Sequence, residues 1–419
     1  MNTGSASNCV FVANSGSNGA GTYRATAVDC VYSNNSVSAY GGGFMGNSQD
    51  SSLYAATNCV FYGNYAGSGG GGAAYAYAAN CTFVSNSCKT TSSGGAVIYF
   101  RGGTNCLFLG NFGGTGGAAS SGTYRNCRFI NNVSSGNSGA GNAIAAYDCE
   151  FTGNRAGGWG GAVTLQTATL SGCVFSNNWA MGGAGAVSPA NNYAPVITNC
   201  LFIGNSTASQ GGAVGRAFTY FCTFESNFAS NEGGAFLGNS NNNPASNCVF
   251  IANSATNNGA ATGVKLFGCL VVSNCTFGAG NKIVGTGYYR NCTFIDNTTS
   301  NIAAIQGSAI NCLFSGNKPY DLGNAYYTMH NCLYGTREGN NITFSYCSQT
   351  DNTKLNLGAD PKAAYYAPRV SSPARDAGTD VGYSPVELDL AGLKRFNGPI
   401  DIGCYEFWSM RHPTTLLLR

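Results

Sequence analysis

Charged residues, histidines and long apolar runs are all scarce in this chain of 419 residues. Only 9% of the residues are charged and the formal net charge is +3, which gives no electrostatic reason to expect nucleic acid or an anionic membrane as a partner. No apolar run approaches the ~20 residues of a transmembrane helix, so no transmembrane segment is expected. Because only His330 and His412 are present and no Cys-x-x-Cys pair occurs, we expect neither a metal site nor a cofactor.

Glycine and aromatic residues are abundant instead. There are 61 Gly, 24 Phe and 24 Tyr, and 43% of the residues are hydrophobic. This hydrophobic content argues against disorder, which the glycine content alone could indicate. No helical period is visible, and glycine runs such as 69–72 oppose helix formation. An all-β fold is therefore expected.

The phrase Asn-Cys-x-Phe-x-x-Asn recurs about fifteen times, mostly at intervals of 20 to 29 residues. The first copy spans 8–14 and a late copy spans 311–317. The register includes Cys9, Cys30, Cys59, Cys81, Cys106, Cys127, Cys149, Cys173, Cys200, Cys222, Cys248, Cys275, Cys292, Cys312 and Cys332. Such a period is typical of a solenoid whose coils bury their apolar faces by stacking.

A second phrase, Gly-Gly-Ala-Val or a relative, lies between copies of the first, as at 94–97, 160–163 and 211–214. The two interleaved phrases predict a right-handed parallel β-helix of about 15 coils. Cys and Phe, two residues apart on a strand, point inward and form stacked columns. We interpret the Asn as a turn residue that adopts left-handed backbone and bonds to neighbouring coils. The Gly-Gly pair marks a turn that needs positive φ or close backbone approach.

The nineteen cysteines are interpreted mainly as a buried ladder of free thiols that act as small apolar residues. Parallel Cβ vectors in stacked coils fit disulfide geometry poorly. Any disulfide is expected among the cysteines outside the repeat register. These are Cys88, Cys269, Cys347 and Cys404.

The two ends of the chain differ from the middle. Residues 351–419 hold 8 of the 17 acidic residues and 6 of the 10 prolines, which predicts a β-helix domain over 1–350 and an irregular C-terminal cap over 351–419. No export signal is visible at the N-terminus, and no N-terminal cap is visible, so the chain is expected to be truncated or processed. Uncapped strand edges favour end-to-end self-association into fibres.

The paired FxxN and GGA[ILV] phrases resemble the repeats of chlamydial polymorphic membrane proteins, and more broadly those of secreted bacterial β-helix proteins. The closing segment, with 372–378 reading SPARDAG and 401–406 reading DIGCYE, is similar to the choice-of-anchor ending of exported bacterial proteins. These resemblances imply an extracellular or bacterial surface location and an adhesin role. They imply no particular reaction.

A polysaccharide lyase or glycoside hydrolase of the β-helix class is the alternative. It needs convergent acidic residues, and those of the repeats are scattered. They are Asp29, Asp50, Asp148, Glu150, Glu225, Glu232, Asp296, Asp321 and Glu338. Asp148 and Glu150 flank Cys149 and are expected to point outward, where solvated acids are ordinary. In the closing segment, Asp376, Asp380, Asp389 and Asp401 could form a calcium site, although capping of turns is the favoured interpretation.

A glycan-binding surface is the hypothesis that the aromatic residues favour. The residue after the motif Asn is large and aromatic at Tyr65, Phe112, Trp179 and Phe228, and Trp159 lies in a nearby turn. Exposed rings along one edge could stack on sugars or contact a surface protein. Packing over the turn is the alternative interpretation. We therefore predict a non-enzymatic exported scaffold or adhesin that binds glycans or assembles, with these five residues as its candidate ligand-binding residues.

Overall fold

The computed structural model describes residues 4–48, 53–166, 168–190, 195–239, 243–278, 282–300, 304–323, 327–338, 342–350, 368, 371–380, 387–395 and 399–406. It is an all-β parallel β-helix, as predicted, and it has about 14 turns where about 15 coils were expected. Within those ranges no helix is long and apolar enough to cross a membrane. The chain divides into two compact units. Unit 1 comprises Met1–Ala217 and Asn227–Ser230, and unit 2 comprises Phe218–Ser226 and Asn231–Arg419.

In unit 1 each coil contributes short strands to three sheets, and these strands pair in parallel. The first sheet contains Gly4–Ser7, Thr22–Tyr23, Ala25–Val28, Phe44–Met45, Ala55–Thr57, Ala73–Ala74, Tyr77–Ala79, Val97–Ile98, Gly102–Thr104, Ala119–Ser120, Thr123–Arg125, Gly141–Asn142, Ala145–Tyr147, Val163–Leu165, Leu170–Ser171, Val187–Pro189, Val196–Thr198 and Val214–Gly215. The second contains Val10–Val12, Val31–Ser33, Val60–Tyr62, Thr82–Val84, Leu107–Leu109, Arg128–Ile130, Glu150–Thr152, Val174–Ser176 and Leu201–Ile203. The third contains Ser15–Gly16, Ser36–Val37, Tyr65–Ala66, Ser87–Cys88, Phe112–Gly113, Val133–Ser134, Arg155–Ala156, Trp179–Ala180, Ser206–Thr207 and Phe228–Glu232.

Unit 2 repeats this plan with longer strands in its first sheet. That sheet contains Phe218–Tyr220, Phe236–Leu237, Asn243–Ser246, Ala261–Thr262, Val264–Phe267, Val284–Arg290, Ile305–Ile310, Tyr327–His330 and Ile342–Ser345. The second contains Thr223–Glu225, Val249–Ile251, Leu270–Val272, Thr293–Ile295, Leu313–Ser315, Leu333–Tyr334 and Ser348–Gln349. The third contains Ser254–Asn257 and Cys275–Thr276.

The motif aromatic residues form the stacked column that the repeat predicts. In unit 1, consecutive rings from Phe11 to Phe202 lie 4.6 to 4.9 Å apart between centroids, with interplanar angles of 10° or less. Phe129 and its stacked neighbours Phe108 and Phe151 are fully buried. The spacing equals the distance between adjacent strands, so the rings stack because the strands pair in register.

The motif asparagines form a buried ladder. Asn64 donates its backbone N–H and its Nδ2 to Oδ1 of Asn86, at 3.1 and 2.9 Å, and donates Nδ2 to the carbonyl of Tyr32 at 2.8 Å. The bonds between coils are therefore as predicted. The prediction of left-handed backbone at this Asn was wrong. Positive φ occurs instead at the two ends of the preceding strand, at Asn58 (52°) and Gly63 (62°). These two residues turn the chain, and the side chain of Asn64 bonds between coils.

The Gly-Gly turns show both predicted features, namely positive φ and close approach of the backbone of neighbouring coils. Gly94 has φ of 68°, in the region that favours glycine. A Cβ at Gly95 would overlap the carbonyl oxygens of Gly117 and Phe112. The first glycine is therefore needed for its conformation and the second for the close approach of neighbouring coils.

All nineteen cysteines are free thiols, and the predicted thiol ladder is present. Each ladder thiol donates to the carbonyl two residues earlier, as Cys59 does to Thr57 at 3.2 Å. Burial raises the pKa of Cys88 to about 11. Interaction with the Cys127 thiol, with a further contribution from burial, raises the pKa of Cys149 to about 12. Cys88 and Cys149 are therefore protonated at neutral pH and are poor nucleophiles.

Three cysteines were assigned wrongly from the sequence. Cys269 lies on the ladder and Cys275 does not, since Cys275 begins a strand of the third sheet. The motif was missed at Cys269 because Val271 stands where the aromatic residue is expected. Cys347 also continues the ladder, and its Sγ accepts from the backbone N–H of Cys332 at 3.3 Å.

The described part of the closing segment lies along the side of unit 2. We call residues 371–380, 387–395 and 399–406 the strap. It covers the outer face of the second sheet, where Leu270, Leu313 and Leu333 are 0%, 1% and 5% exposed. At the corresponding outward position in unit 1, Val10 is 67% exposed and Val60 is 39% exposed.

Side chains of the repeats hold the strap in place. Asn311 exchanges two hydrogen bonds with the backbone of Thr379, at 2.8 and 3.0 Å, and Thr293 Oγ1 accepts from the backbone N–H of Cys404 at 3.1 Å. The predicted cap is therefore irregular, but its described part covers a sheet face, because the outward residues there are apolar. The predicted boundary at residue 350 stays a prediction, since 351–367 lie outside the described residues.

Three carboxylates and one guanidinium are buried within the strap. Arg395 Nη1 donates to Glu406 at 2.8 Å, and Glu406 also accepts from the backbone N–H of Asp401 at 3.0 Å. Asp389 accepts from the backbone N–H groups of Leu393 and Glu406. No metal-binding group of three or more His, Cys, Asp or Glu occurs among the described residues. Asp389 thus caps a turn of the strap, in line with the favoured interpretation of the acids in this segment.

The stability of unit 2 is expected to fall as pH rises from about 4.5 to about 8. Burial raises the pKa of Glu406 from 4.5 to about 8, so in this interval the folded protein binds a proton that the unfolded chain has released. Urea unfolding curves measured near both limits should give free energies of unfolding that differ by at least ~1 kcal/mol. Glu406→Gln should reduce this dependence and leave the contribution of Asp389, whose pKa is also raised by burial. A wild-type midpoint that rises across the interval would contradict the assignment.

Candidate functional site

The four predicted aromatic residues that follow the motif Asn lie on one column of the third sheet in unit 1. Tyr65 and Phe112 are two strands apart, with Ser87 paired between them. Trp179 and Phe228 are also two strands apart, with Ser206 between them. Two strands correspond to about 10 Å. We call these four rings the aromatic column.

The aromatic column is open to solvent. Tyr65, Phe112 and Trp179 are half-buried, and Phe228 is 40% exposed. The next residue along each strand is buried, as Ala66 and Ala180 are, because side chains alternate between the two faces. The guanidinium of Arg155 lies 4.8 Å from the Trp179 ring centroid, which adds a cation to the column.

Trp159 lies apart from the aromatic column, at the Gly-Gly turn. Its backbone N–H donates to Asn137 Oδ1 at 2.8 Å, and Trp159 pairs with Gly183 of the next coil. The indole lies close over Gly182 and Gly183, and Trp159 is 38% exposed. The ring therefore packs over the turn and also presents a face to solvent.

A second surface of unit 1 was not found from the sequence. It is a groove of about 460 Å³ on the first sheet. We call it the arginine groove, and its lining residues are Ala55, Tyr77, Arg101, Thr104, Thr123 and Arg125. Arg101, Thr123 and Arg125 are exposed. None of these described lining residues is a carboxylate.

The residues of the arginine groove come from several coils and are aligned by the strand register. Tyr77 pairs with Gly102, and Gly102 pairs with Thr123. The side chains of Tyr77 and Thr123 therefore lie in one column with a glycine between them. Thr104 and Arg125 pair in the next column, each two residues before a motif Cys. Alignment of the repeats on the Cys could have revealed that column. Arg101 lies in a corner of variable sequence and carries no repeat signal.

Asp148 and Glu150 do point outward, as predicted, and they line a separate cavity of about 410 Å³ with Arg128. Arg128 Nε donates to Glu150 Oε2 at 2.7 Å, and Thr152 donates to Glu150 Oε1 at 2.9 Å. The hydrogen bond from Arg128, with a smaller contribution from Thr152, lowers the pKa of Glu150. Glu150 is therefore ionised at neutral pH and is poorly suited to act as a general acid.

No protein-family model matches the sequence, and no curated protein matches it significantly. Similar solved structures include an alginate lyase of family PL6, AlyGC, in mutant form, at 11% identity and a TM-score of 0.40, covering 87% of this chain and 57% of that one. The pectate lyase Pel9A is 13% identical with a TM-score of 0.29, covering 95% and 96%. The tailspike protein gp49 of Acinetobacter baumannii bacteriophage Fri1, a capsular polysaccharide depolymerase, is 11% identical with a TM-score of 0.24, covering 79% and 58%.

This chain thus spans little more than half the length of the alginate lyase. Identities of 11 to 13% and TM-scores of 0.40 or less give no information on the chemistry of this chain.

Proposed function

We propose that the protein is a non-enzymatic, exported scaffold that binds polysaccharide along the aromatic column of unit 1. The observation that carries the proposal is the recurrence of open rings at a two-strand spacing, with serines between them. Rings offer flat apolar faces on which sugar rings stack. Ser87 and Ser206 supply hydroxyl groups that donate to and accept from sugar hydroxyls.

The rigidity of the solenoid supports this role. Each strand of the column pairs on both sides within unit 1 from Ser36 to Ser206, so the rings are held at fixed intervals. A preorganised surface loses little conformational entropy when it binds an extended chain. A long glycan aligned with the column would contact several rings at once and gain from multivalency.

A location outside the bacterial cell or on its surface is part of the proposal and rests on the resemblance of the repeats and the ending. End-to-end self-association is also part of it. The strand Val10–Val12 pairs with Val31–Ser33, and Val10 and Val12 are 67% and 52% exposed. Exposed apolar strands near an edge favour pairing with a second chain.

A polysaccharide-cleaving enzyme is the second candidate, and the cavity lined by Asp148 and Glu150 is the place where it would act. A hydrolase needs one carboxyl group that is protonated near neutral pH. The ion pair with Arg128 opposes this at Glu150. Product release remains the decisive measurement between the two candidates.

The double variant Trp179→Ala/Phe228→Ala is expected to weaken glycan binding at least ~10-fold, because two stacking faces are removed. The experiment applies purified protein to a broad panel of polysaccharides and scores binding together with the release of reducing ends or unsaturated sugars. Phe277→Ala, which removes a ring 63% exposed in unit 2, is the control and should bind like the wild type.

Three outcomes separate the possibilities. Binding that depends on Trp179 and Phe228 without product release supports the scaffold. Product release abolished by Asp148→Asn or Glu150→Gln establishes the enzyme instead. If neither Trp179→Ala/Phe228→Ala nor the control Phe277→Ala changes binding, the aromatic column is not the binding site. Adding Trp159→Ala to the double variant then tests whether the ring at the Gly-Gly turn binds the glycan.

A further inference from the structure

The arginine groove contains two guanidinium groups for which the described part of the chain provides no acidic partner. Among the described residues, Arg128, Arg290, Arg375 and Arg395 each contact a carboxylate. No ion pair of the described residues involves Arg101 or Arg125. Both are exposed and line the same groove, where two like charges repel each other unless an anion lies between them.

The floor of the arginine groove is built from backbone. Gly102 and Gly122 have φ of 144° and 104°, values that L side chains rarely adopt. A Cβ at Gly102 would overlap the carbonyl of Thr123, and one at Gly122 would lie 2.7 Å from the carbonyl of Phe100. Side chains are thus excluded from this position, and the cavity between Tyr77 and Thr123 stays open.

The walls of the groove are held in position. The Arg125 guanidinium stacks over the Tyr147 ring, 4.2 Å from its centroid, which limits its motion and leaves its N–H groups available at the edge. Tyr77 and Thr104 share a hydrogen bond of 2.5 Å. The groove therefore offers a preorganised cation beside hydroxyl groups and an aromatic ring.

We propose that the arginine groove binds the anionic group of an acidic saccharide, a carboxylate or sulfate borne on a sugar ring. This inference rests on the proposed glycan-binding function and names a second site and its ligand class. Guanidinium groups match the geometry of carboxylate and sulfate oxygens through paired N–H donors. Thr104, Thr123 and Tyr77 can hydrogen-bond the sugar hydroxyls. The acids Asp148 and Glu150 line only the neighbouring cavity, so they do not compete within the groove.

The test compares polygalacturonate, dextran sulfate, neutral dextran and polyglutamate as probes of the full chain at about 0.15 M salt, where the Debye length is ~8 Å. Arg101→Ala/Arg125→Ala is expected to weaken binding of the acidic saccharides about 10- to 100-fold, because two charge-assisted contacts are lost. Neutral dextran binding should be unchanged. The acidic probes distinguish carboxylate from sulfate as the preferred group.

The matched control is Lys89→Ala/Arg216→Ala, which removes the same charge from exposed residues of unit 1 outside the groove. It should retain binding of the acidic saccharides. Thr123→Glu provides a second test that places a carboxylate between the arginines, and it should weaken binding to a similar extent while the fold is retained, because Thr123 is exposed.

Equal loss in the two double variants would show a general charge effect and overturn the proposal. Polyglutamate bound as tightly as polygalacturonate would overturn the saccharide part of it. The outcome is separate from that of the aromatic column: Trp179→Ala/Phe228→Ala should reduce neutral and acidic glycan binding, whereas the groove variants should affect acidic glycans only. Acidic glycan binding that both sets of variants leave intact would refute both sites.

Discussion

Asn154→Ala lowers the free energy of unfolding by about 4 kcal/mol, the expected result of removing one member of the asparagine ladder. Asn154 Nδ2 donates to Phe129 O at 2.9 Å and to Asn178 Oδ1 at 3.0 Å. Its Oδ1 accepts the backbone N–H and Nδ2 of Asn132, both at 3.0 Å. Alanine removes all four hydrogen bonds and leaves buried donors and acceptors without partners.

The effect is large because the ladder has no access to water. Asn132, Asn154 and Asn178 are all 0% exposed, so solvent cannot replace the lost bonds. Chemical denaturation followed by circular dichroism measures the change. The control is Asn105→Gly, which removes an exposed Asn bonded to Asn80 at 3.1 Å and keeps a residue that tolerates its φ of 54°.

This control should cost less than ~1 kcal/mol. Losses of similar size in Asn154→Ala and Asn105→Gly would contradict the ladder as a main source of stability. An intermediate loss in Asn154→Ala would indicate that the neighbouring coils move to bond each other directly.

Asp321→Asn is expected to destabilise unit 2 by about 3 to 5 kcal/mol, although only one oxygen becomes an amide. Asp321 is fully buried and ends the ladder of unit 2. Its Oδ1 accepts from the backbone N–H of Asn317 at 3.0 Å and from Nδ2 at 2.7 Å. Its Oδ2 accepts the backbone N–H groups of Gly335 and Thr336 at 2.9 and 2.8 Å.

An asparagine at this position must direct its NH2 group toward N–H donors on one side or the other. Two charge-assisted hydrogen bonds are lost and donors face donors. Asp296→Asn is a matched control, since Asp296 is exposed and stands where other coils have Asn, such as Asn34 and Asn131. Urea unfolding of both variants measures the difference. Equal stability of the two would refute the role of Asp321 as the end of the ladder.

Much of the fold could be predicted because the same neighbours recur in every coil. The inward positions of Cys and the aromatic residue follow from strand alternation, and the ring stack follows from the strand spacing. The bonds of Asn64 between coils followed from its place after the aromatic residue. The prediction of left-handed backbone at Asn64 was wrong, because the repeat shows where the chain turns but not which residue adopts positive φ there.

Errors arose where a coil departs from the repeat. Val271 in place of the aromatic residue concealed the ladder position of Cys269, and Cys347 lay beyond the last recognised copy. The strap was expected at the end of the solenoid. Its contacts with Leu270 and Leu313 depend on outward residues, and the inward motif contains no information about them.

The sequence by itself determined the parallel β-helix, the inward columns and the shared column of Tyr65, Phe112, Trp179 and Phe228. A period of one coil places equal positions of the repeat in contact, so these relations need no further knowledge. Only the tertiary structure decided which unlike positions meet across coils. Examples are the place of Arg101 and Arg125 in one groove, the end of the ladder at Asp321 and the path of the strap. They depend on local corner geometry and on outward side chains, which vary from coil to coil and leave no periodic signal.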